Sequence, residues 1–270
     1  MTEIMSDLSQ TSVATAVKAN LYAFFDWMRN SAAATVHDSP HGFNWRTNIA
    51  HPWFNGMLST LPPAADASHV IDEAVNYFQA HDVPNFTWWL APQLEPTAWS
   101  QHLLARGFQY NNSTPGMAID LAALPQPTQH PLTIRPVEDR HMLTEWIDIL
   151  KRGFGMPTPM ASGFLSVLGD LGTDLPIRQY LGYLNDRPVA CSTLYLGAGV
   201  AGIYNVATVP EARGQGVGSA MTLAPLYEAH DLGYRAGILQ SSDMGYGVYE
   251  RLGFQKLCQV DYFFWQAPGS

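Results

Sequence analysis

Basic residues are scarce in this sequence: 14 Lys and Arg stand against 23 Asp and Glu in 270 residues, a formal net charge of −9. No cluster of Lys and Arg interrupts that balance, which argues against a sequence-independent grip on nucleic-acid phosphates or on an anionic membrane. Cysteine is scarcer still. Cys191 and Cys258 cannot build a disulfide framework and fit two buried apolar thiols in a reducing cytoplasm. No apolar run approaches the ~20 residues that span a bilayer. The opening residues, MTEIMSDLSQTS, are acidic and lack an apolar core behind a positive charge, so no secretory signal is expected. Charged residues make up 14% against 47% hydrophobic, the balance of a chain that buries a core. Its length exceeds the roughly 100–150 residues of an ordinary domain, so two are expected.

Three prolines, Pro125, Pro127 and Pro131, interrupt periodicity in LAALPQPTQHPL (121–132) and mark an extended linker over 124–131. Beyond it, 132–135 alternates as a short strand. The run 139–153 is amphipathic, with Met142, Trp146, Ile149 and Leu150 on one helical stripe, and 164–171 suggests a second helix. Strand-like runs follow at 177–184, 188–196 and 200–209. Asn185-Asp186-Arg187 and Gly197-Ala198-Gly199 stand between them as hairpin turns. A helix at 217–232, a strand at 236–240, a helix over 247–252 and a strand over 254–265 complete the order βααβββαβαβ. The end of the first half repeats part of this order. His102 to Phe108 followed by 117–121 parallels Tyr249 to Phe254 followed by 262–265, and strand and helix candidates precede each, at 86–90 and 70–80 as at 236–240 and 217–232.

The segment 203–220, IYNVATVPEARGQGVGSA, runs from a β-rich stretch into a glycine-rich turn and then a helix. The first N–H groups of a helix have no internal partner and carry partial positive charge, so a diphosphate is a natural ligand there. Each glycine at a helical position costs roughly 0.5–1 kcal/mol relative to Ala, and a bare turn needs only one. Gly214, Gly216 and Gly218 therefore point to close approach of a ligand. G-x-G-x-x-G does not fit, because its third glycine falls on Ser219 or Met221, and Gly-Lys-Ser/Thr does not fit, because the turn has no lysine.

What does fit is R-x-x-G-x-G, with Arg213, Gly216 and Gly218. This resembles the coenzyme A pyrophosphate loop of the GNAT superfamily of N-acetyltransferases, and a Tyr-Glu-x-Leu-Gly-Phe pattern at 249–254 matches that superfamily at the expected distance. The resemblance covers the chain from Leu132 onward. It implies an α+β or α/β GNAT-like fold with a central mixed, mostly antiparallel sheet flanked by helices, here duplicated. By the same resemblance, the chain is a cytoplasmic transferase that moves an acetyl group from acetyl-CoA to an amine of a small molecule or peptide. The attack is direct, within a ternary complex, by a monomer or homodimer without a metal. Val206, Ala207 and Thr208 would pair with the pantetheine arm, and a strand-edge amide would polarise the thioester carbonyl. Arg213, Gly214, Gln215, Gly216, Val217, Gly218 and Ser219 would hold the pyrophosphate, and Ser242 stands where many members carry a cofactor-contacting Asn. Tyr249 would protonate the departing thiolate. The acceptor wall implied by the fold is Trp146, Phe154, Met156, Tyr204 and Tyr262, mostly apolar and aromatic.

Two features depart from the pattern. The strands beside the turn offer Tyr204, Asn205 and Gln240 but no carboxylate to take the amine's proton, and Asp243 reads as a helix cap. A non-catalytic acyl-CoA-binding or sensing module is therefore the alternative, although such a module would not need Tyr249. In the first half the loop position reads LPPAADAS (61–68), without arginine or glycine. Residues 1–123 are thus expected to form a degenerate GNAT-like domain that does not bind coenzyme A, with Asp66 or Ser68 capping its helix, beside a catalytic domain over 132–270. His37 and His41 stand four apart across a turn-like Asp38-Ser39-Pro40 and find no third metal ligand. Trp88 and Trp89 face opposite sides of a strand, as core or interface residues.

Overall fold

The computed structural model describes residues 3–49, 51–59, 66–93, 98–127, 129–171 and 173–268. In the first half the elements are α1 (Gln10–Asp26), β1 (Ala34–Ser39), β2 (Gly42–Thr47), β3 (Gly56–Ser59), α2 (Ala67–Ala80), β4 (Asn85–Gln93), α3 (Trp99–Leu104) and β5 (Gln109–Asp120). The second half contains β6 (Thr133–Pro136), α4 (Arg140–Phe154), α5 (Thr158–Leu171), β7 (Ile177–Leu184), β8 (Arg187–Gly197) and β9 (Val200–Thr208), then α6 (Val217–Asp231), β10 (Ala236–Gln240), α7 (Asp243–Leu252) and β11 (Gln255–Gln266). This is the expected βααβββαβαβ order.

Local chemistry sets these boundaries. Asp139 caps α4 by accepting from the Met142 N–H at 2.8 Å, and Gly155, left-handed at φ +66°, ends the helix. Asn185 and Asp186, both at positive φ, turn β7 into β8, and Ala198 with Gly199 turns β8 into β9. Leu143, Trp146, Ile147, Ile149 and Leu150 form the buried stripe of α4, while Met142, expected within it, is only partly buried.

One eleven-stranded sheet runs through both halves in the order β1-β2-β3-β4-β11-β5-β10-β9-β8-β7-β6. It is mixed and mostly antiparallel; among the described strands only β3–β4 and β9–β10 are parallel. The central strands are exchanged. β5, the last strand of the first half, pairs with β10 from Ala236↔Asp120 to Gln240↔Gly116, while β11, the last strand of the second half, pairs with β4, including Tyr262↔Trp89. β5 and β11 also pair with each other. The repeat noted in the sequence thus corresponds to matching positions about the sheet centre: β3, α2, β4, α3 and β5 mirror β9, α6, β10, α7 and β11. The sheet crosses the sequence division at 124–131, and that segment is tied down, with the Tyr227 hydroxyl donating to the Pro125 carbonyl at 2.7 Å and His130 Nε2 donating to the Gln215 carbonyl at 2.8 Å.

α1 lies against both halves, with contacts to β4, β5, β8 and β9. Its Asn20 is fully buried, where it donates through Nδ2 to the Gly197 carbonyl at 2.8 Å and accepts from the Tyr204 hydroxyl at 2.7 Å. Asn20→Leu leaves a buried carbonyl and a buried phenol unpaired. It should cost about 2 kcal/mol, seen as a lower urea midpoint with an unchanged slope. Trp88 and Trp89 are both buried on opposite faces, Trp88 with Phe86 and Phe108 and Trp89 with Phe25 and Tyr262. Asp66 precedes α2 without a side-chain cap bond, and the rest of the first-half loop, 60–65, lies outside the described residues. His37 lies in β1 and stacks on Tyr77 at 5.0 Å. Among the described residues no helix is long and apolar enough to cross a membrane.

Candidate functional site

β9 and β10 are hydrogen-bonded only from Ala201/Gly237 to Ile203/Leu239, although β9 runs on to Thr208. The cause is a bulge. β8–β9 pairing shifts between Cys191↔Ala207 and Thr193↔Tyr204, inserting one residue in β9, and Asn205 sits there at φ +54° with its Nδ2 donating to Thr193 Oγ1 at 3.3 Å. Asn tolerates the left-handed region better than most residues. Past Ile203, no described strand covers β9 on its β10 side, so the backbone of Tyr204 to Thr208 borders a gap.

The gap leads into the glycine-rich turn. A short 3₁₀ turn, Pro210–Ala212, is followed by Gly214 at φ +74° and Gly216 at φ +78°, and α6 starts at Val217. Gly216 provides no side-chain cap, and the first intrahelical bond is Ala220 N–H to the Gly216 carbonyl. The amides of Val217, Gly218 and Ser219 therefore have no helical acceptor. A Cβ at Gly214 would meet nothing within 4 Å, and one at Gly218 would touch only Thr208 Oγ1 at 3.9 Å. Gly214, Gln215 and Gly216 are exposed, Gly218 and Ser219 are half-buried, and Val217 points into the core. Unused amides, exposed glycines and the absence of an anionic cap fit the diphosphate of coenzyme A.

Arg213 departs from its expected placement. Its guanidinium turns back, Nε to the Thr208 carbonyl at 3.2 Å and Nη2 to the Gly153 carbonyl at 2.7 Å, stapling the turn to the end of α4. The approach is close: a Cβ on Gly153 would lie 2.7 Å from that of Ala207. Gly153 carries no motif signal and was not anticipated.

α7 closes the far side of the gap. Ser242, not Asp243, is its cap, with Oγ accepting from the Gly245 N–H at 3.2 Å; the expected Asp243 cap is corrected because Ser242 is the residue in extended conformation before the first turn. Tyr249 lies two turns on, almost fully buried, and burial pushes its phenol up to about 12. Nearby on α6, the buried Thr222 donates to the Gly218 carbonyl at 2.9 Å. Gly245 makes room for the phenol, since a Cβ there would lie 2.7 Å from the ring's Cε2.

Gap and phenol meet at a cavity of about 410 Å³. Val206, Ser242 and Tyr249 line it, and so do three of the residues expected in the acceptor wall, Phe154, Tyr204 and Tyr262. The other two do not. Trp146 is fully buried in the α4 core with Nε1 donating to the Ser192 carbonyl at 3.1 Å, and Met156 packs beneath α4 and α5. The opposite wall comes from the first half, through Phe24 and Phe25 of α1, Trp89 of β4, and Asn112 and Thr114 of β5. Phe24 stacks flat on Tyr204 with ring centres 4.0 Å apart, and Tyr262 is hydrogen-bonded to Thr114. Burial pushes Tyr262 up to about 12 and raises Tyr204 as well. These first-half residues reach the cavity through the strand exchange and the placement of α1, which no local pattern announces.

Residues 177–256 match the family model described as an acetyltransferase (GNAT) domain. No curated protein matches the sequence. Among solved structures, the chain is similar to a GCN5-related N-acetyltransferase from Kribbella flavida at TM-score 0.69 and 17% identity, covering 95% of this chain and 96% of that one. It is also similar to a GCN5-related N-acetyltransferase from Sphaerobacter thermophilus, at TM-score 0.61 and 16% identity over 100% and 96% of the two chains. A tandem GNAT protein from the clavulanic acid biosynthesis pathway superimposes at TM-score 0.60 and 12% identity over 100% and 98%. Residues 177–256 match a GNAT acetyltransferase domain, within a chain that takes a duplicated GNAT-like fold.

Proposed function

We propose that this protein is an N-acetyltransferase that moves an acetyl group from acetyl-CoA to an amine of a small molecule or peptide by direct attack in a ternary complex. The observation that carries this reading is the arrangement of the unpaired β9 edge and the Tyr249 phenol on one cavity, with the open amides of the α6 turn just beyond the end of the same strand. Acetyl-CoA, when bound, supplies the activated acyl group. Val206 to Thr208 offer backbone partners along the gap, one amide among them facing the thioester carbonyl. Gly214 to Ser219 bind the pyrophosphate through their N–H groups, and Arg213 keeps the turn in place from behind. Tyr249 holds its proton at neutral pH, as an acid for a leaving thiolate must. Residues 132–270 act as the catalytic part, 124–131 as the strap between halves, and 1–123 as a degenerate GNAT-like partner that completes the acceptor wall.

Free-thiol release with acetyl-CoA and a broad amine panel tests this directly. Amine-dependent thiol production supports it; coenzyme A binding without thiol release from any amine overturns it. That second result would favour a non-catalytic acyl-CoA-binding module, a reading that has one observation on its side, the absence of a carboxylate among the described cavity-lining residues. Gly245→Ala offers a finer check. The added methyl displaces the Tyr249 ring without removing its hydroxyl, so turnover should fall about 10- to 100-fold while the thermal shift produced by coenzyme A persists. Unchanged turnover would mean that the ring's position does not matter.

A further inference from the structure

Every described residue lining the cavity is uncharged. Its apolar part is largely aromatic, with Phe24, Phe25, Trp53, Phe54, Trp89 and Phe164 facing across it. Its polar part consists of phenols, amides and hydroxyls. The carboxylates on flanking elements are engaged elsewhere: Asp26 with Arg29, Asp170 with Ser31 and the Ala32 N–H, and Asp261 with Ser113. Asp243 follows Ser242 but is exposed. The wall residues with an unpartnered buried polar atom, Trp89 and Gln240, offer N–H donors and not an anion.

A cation entering such a site loses its hydration and gains no counter-charge. An alkylamine with a pKa of about 10.4 is neutral to the extent of only about one part in 10³ at pH 7. An aromatic amine, its lone pair delocalised into the ring, is already neutral there and offers a flat face to the wall. Resting on the acyl-transfer reading above, we propose that the acceptor is an uncharged aromatic amine of low basicity, taken up between the two halves, and not an alkylammonium. The proton balance then closes without a carboxylate. The nitrogen bonds to the acyl carbon as the carbon–sulfur bond breaks, Tyr249 gives its proton to the sulfur, and the proton shed by the nitrogen restores the phenol. The products are an N-aryl acetamide and free coenzyme A thiol.

The test compares 4-ethylaniline with its charged isomer phenethylamine on the full chain. Binding is read by quenching of tryptophan fluorescence, to which Trp53 and Trp89 of the cavity contribute, and turnover by thiol release. At pH 7 the aniline should bind at least 30-fold more tightly. Its kcat/KM should stay flat from pH 6.5 to 8.5, while that of phenethylamine starts about 10³-fold lower and rises tenfold per pH unit as its neutral fraction grows. Equal binding of the two, binding of neither, or phenethylamine turnover that matches the aniline at pH 7 would each overturn the proposal. Aniline-selective binding with no thiol release from either amine would uphold the ligand class and overturn acyl transfer, so the two failures are distinguishable.

Discussion

Tyr249→Phe should reduce thiol release at saturating substrates by about 10²-fold or more, the usual contribution of a positioned acid and roughly 2.7 kcal/mol of barrier. The ring is retained, so its contact with Phe254 at 5.8 Å and its place beside Gly245 persist and the fold is preserved. Coenzyme A affinity should stay within about twofold, because no phosphate or pantetheine contact is assigned to the phenol. The pH dependence gives an independent readout. Burial raises the Tyr249 phenol to about 12, so the acid form is fully present at neutral pH and is lost only as pH rises through that value. The wild-type rate should therefore show no alkaline limb from this group between pH 6 and 9, and the Phe variant should lower the whole profile without changing its shape. An unchanged rate would remove Tyr249 from the mechanism, and a new limb inside that window would mean that another group had taken over.

The sequence made the second half legible because its signals are local. Asp139 and Gly155 punctuate α4, Asn185-Asp186 reads as a turn, and the glycines of 214–218 mark the turn, two of them at positive φ. α1 was missed for an equally physical reason. Val13, Ala16, Val17, Asn20 and Leu21 keep the spacing of one helical face, but the stripe is weak because alanine is only slightly apolar and Asn20, fully buried, is polar. Asp38-Ser39-Pro40 reads as a turn from its composition, but Asp38 and Ser39 belong to β1 and pair with Phe43 and Gly42, and the turn falls at Pro40-His41.

The strand exchange lies beyond any local reading. β5 and β11 are alike in length, each of 12 residues, so length does not decide which half either completes. Partner choice is decided by packing across the centre, where Tyr262 meets Trp89 and Thr114. This is why the acceptor wall could be assigned only in part. Phe154, Tyr204 and Tyr262 follow from the second half's own fold, whereas Phe24, Trp89 and Asn112 need the pairing of the two halves. Trp146 was misplaced because an apolar helical stripe has the same spacing whether it faces a core or a pocket.

Gly216→Glu should abolish the stabilisation that coenzyme A confers. Ligand at 100 times its Kd contributes about 2.7 kcal/mol, roughly 5–10 °C in a protein of this size, and the variant should show none of it. Three features of the position determine the outcome. Gly216 sits at φ +78°, where a side chain costs ~1–2 kcal/mol. The Cβ would come within 3.3 Å of Nε2 of the half-buried His130 ring and press on its hydrogen bond to the Gln215 carbonyl. The carboxylate would lie at the open amides of Val217 to Ser219, where the helix terminus favours an anion. The same electrostatics that admit a diphosphate therefore keep the variant folded while its own charge occupies the site. Gly216→Ala separates charge from strain: it carries the same backbone cost without the carboxylate, so its melting temperature should drop while most of its response to coenzyme A survives. If Gly216→Glu responds as fully as the wild type, the pyrophosphate does not bind at this turn. If Gly216→Ala loses the response as completely as Gly216→Glu, the backbone conformation of the turn, and not the anion site it forms, controls binding.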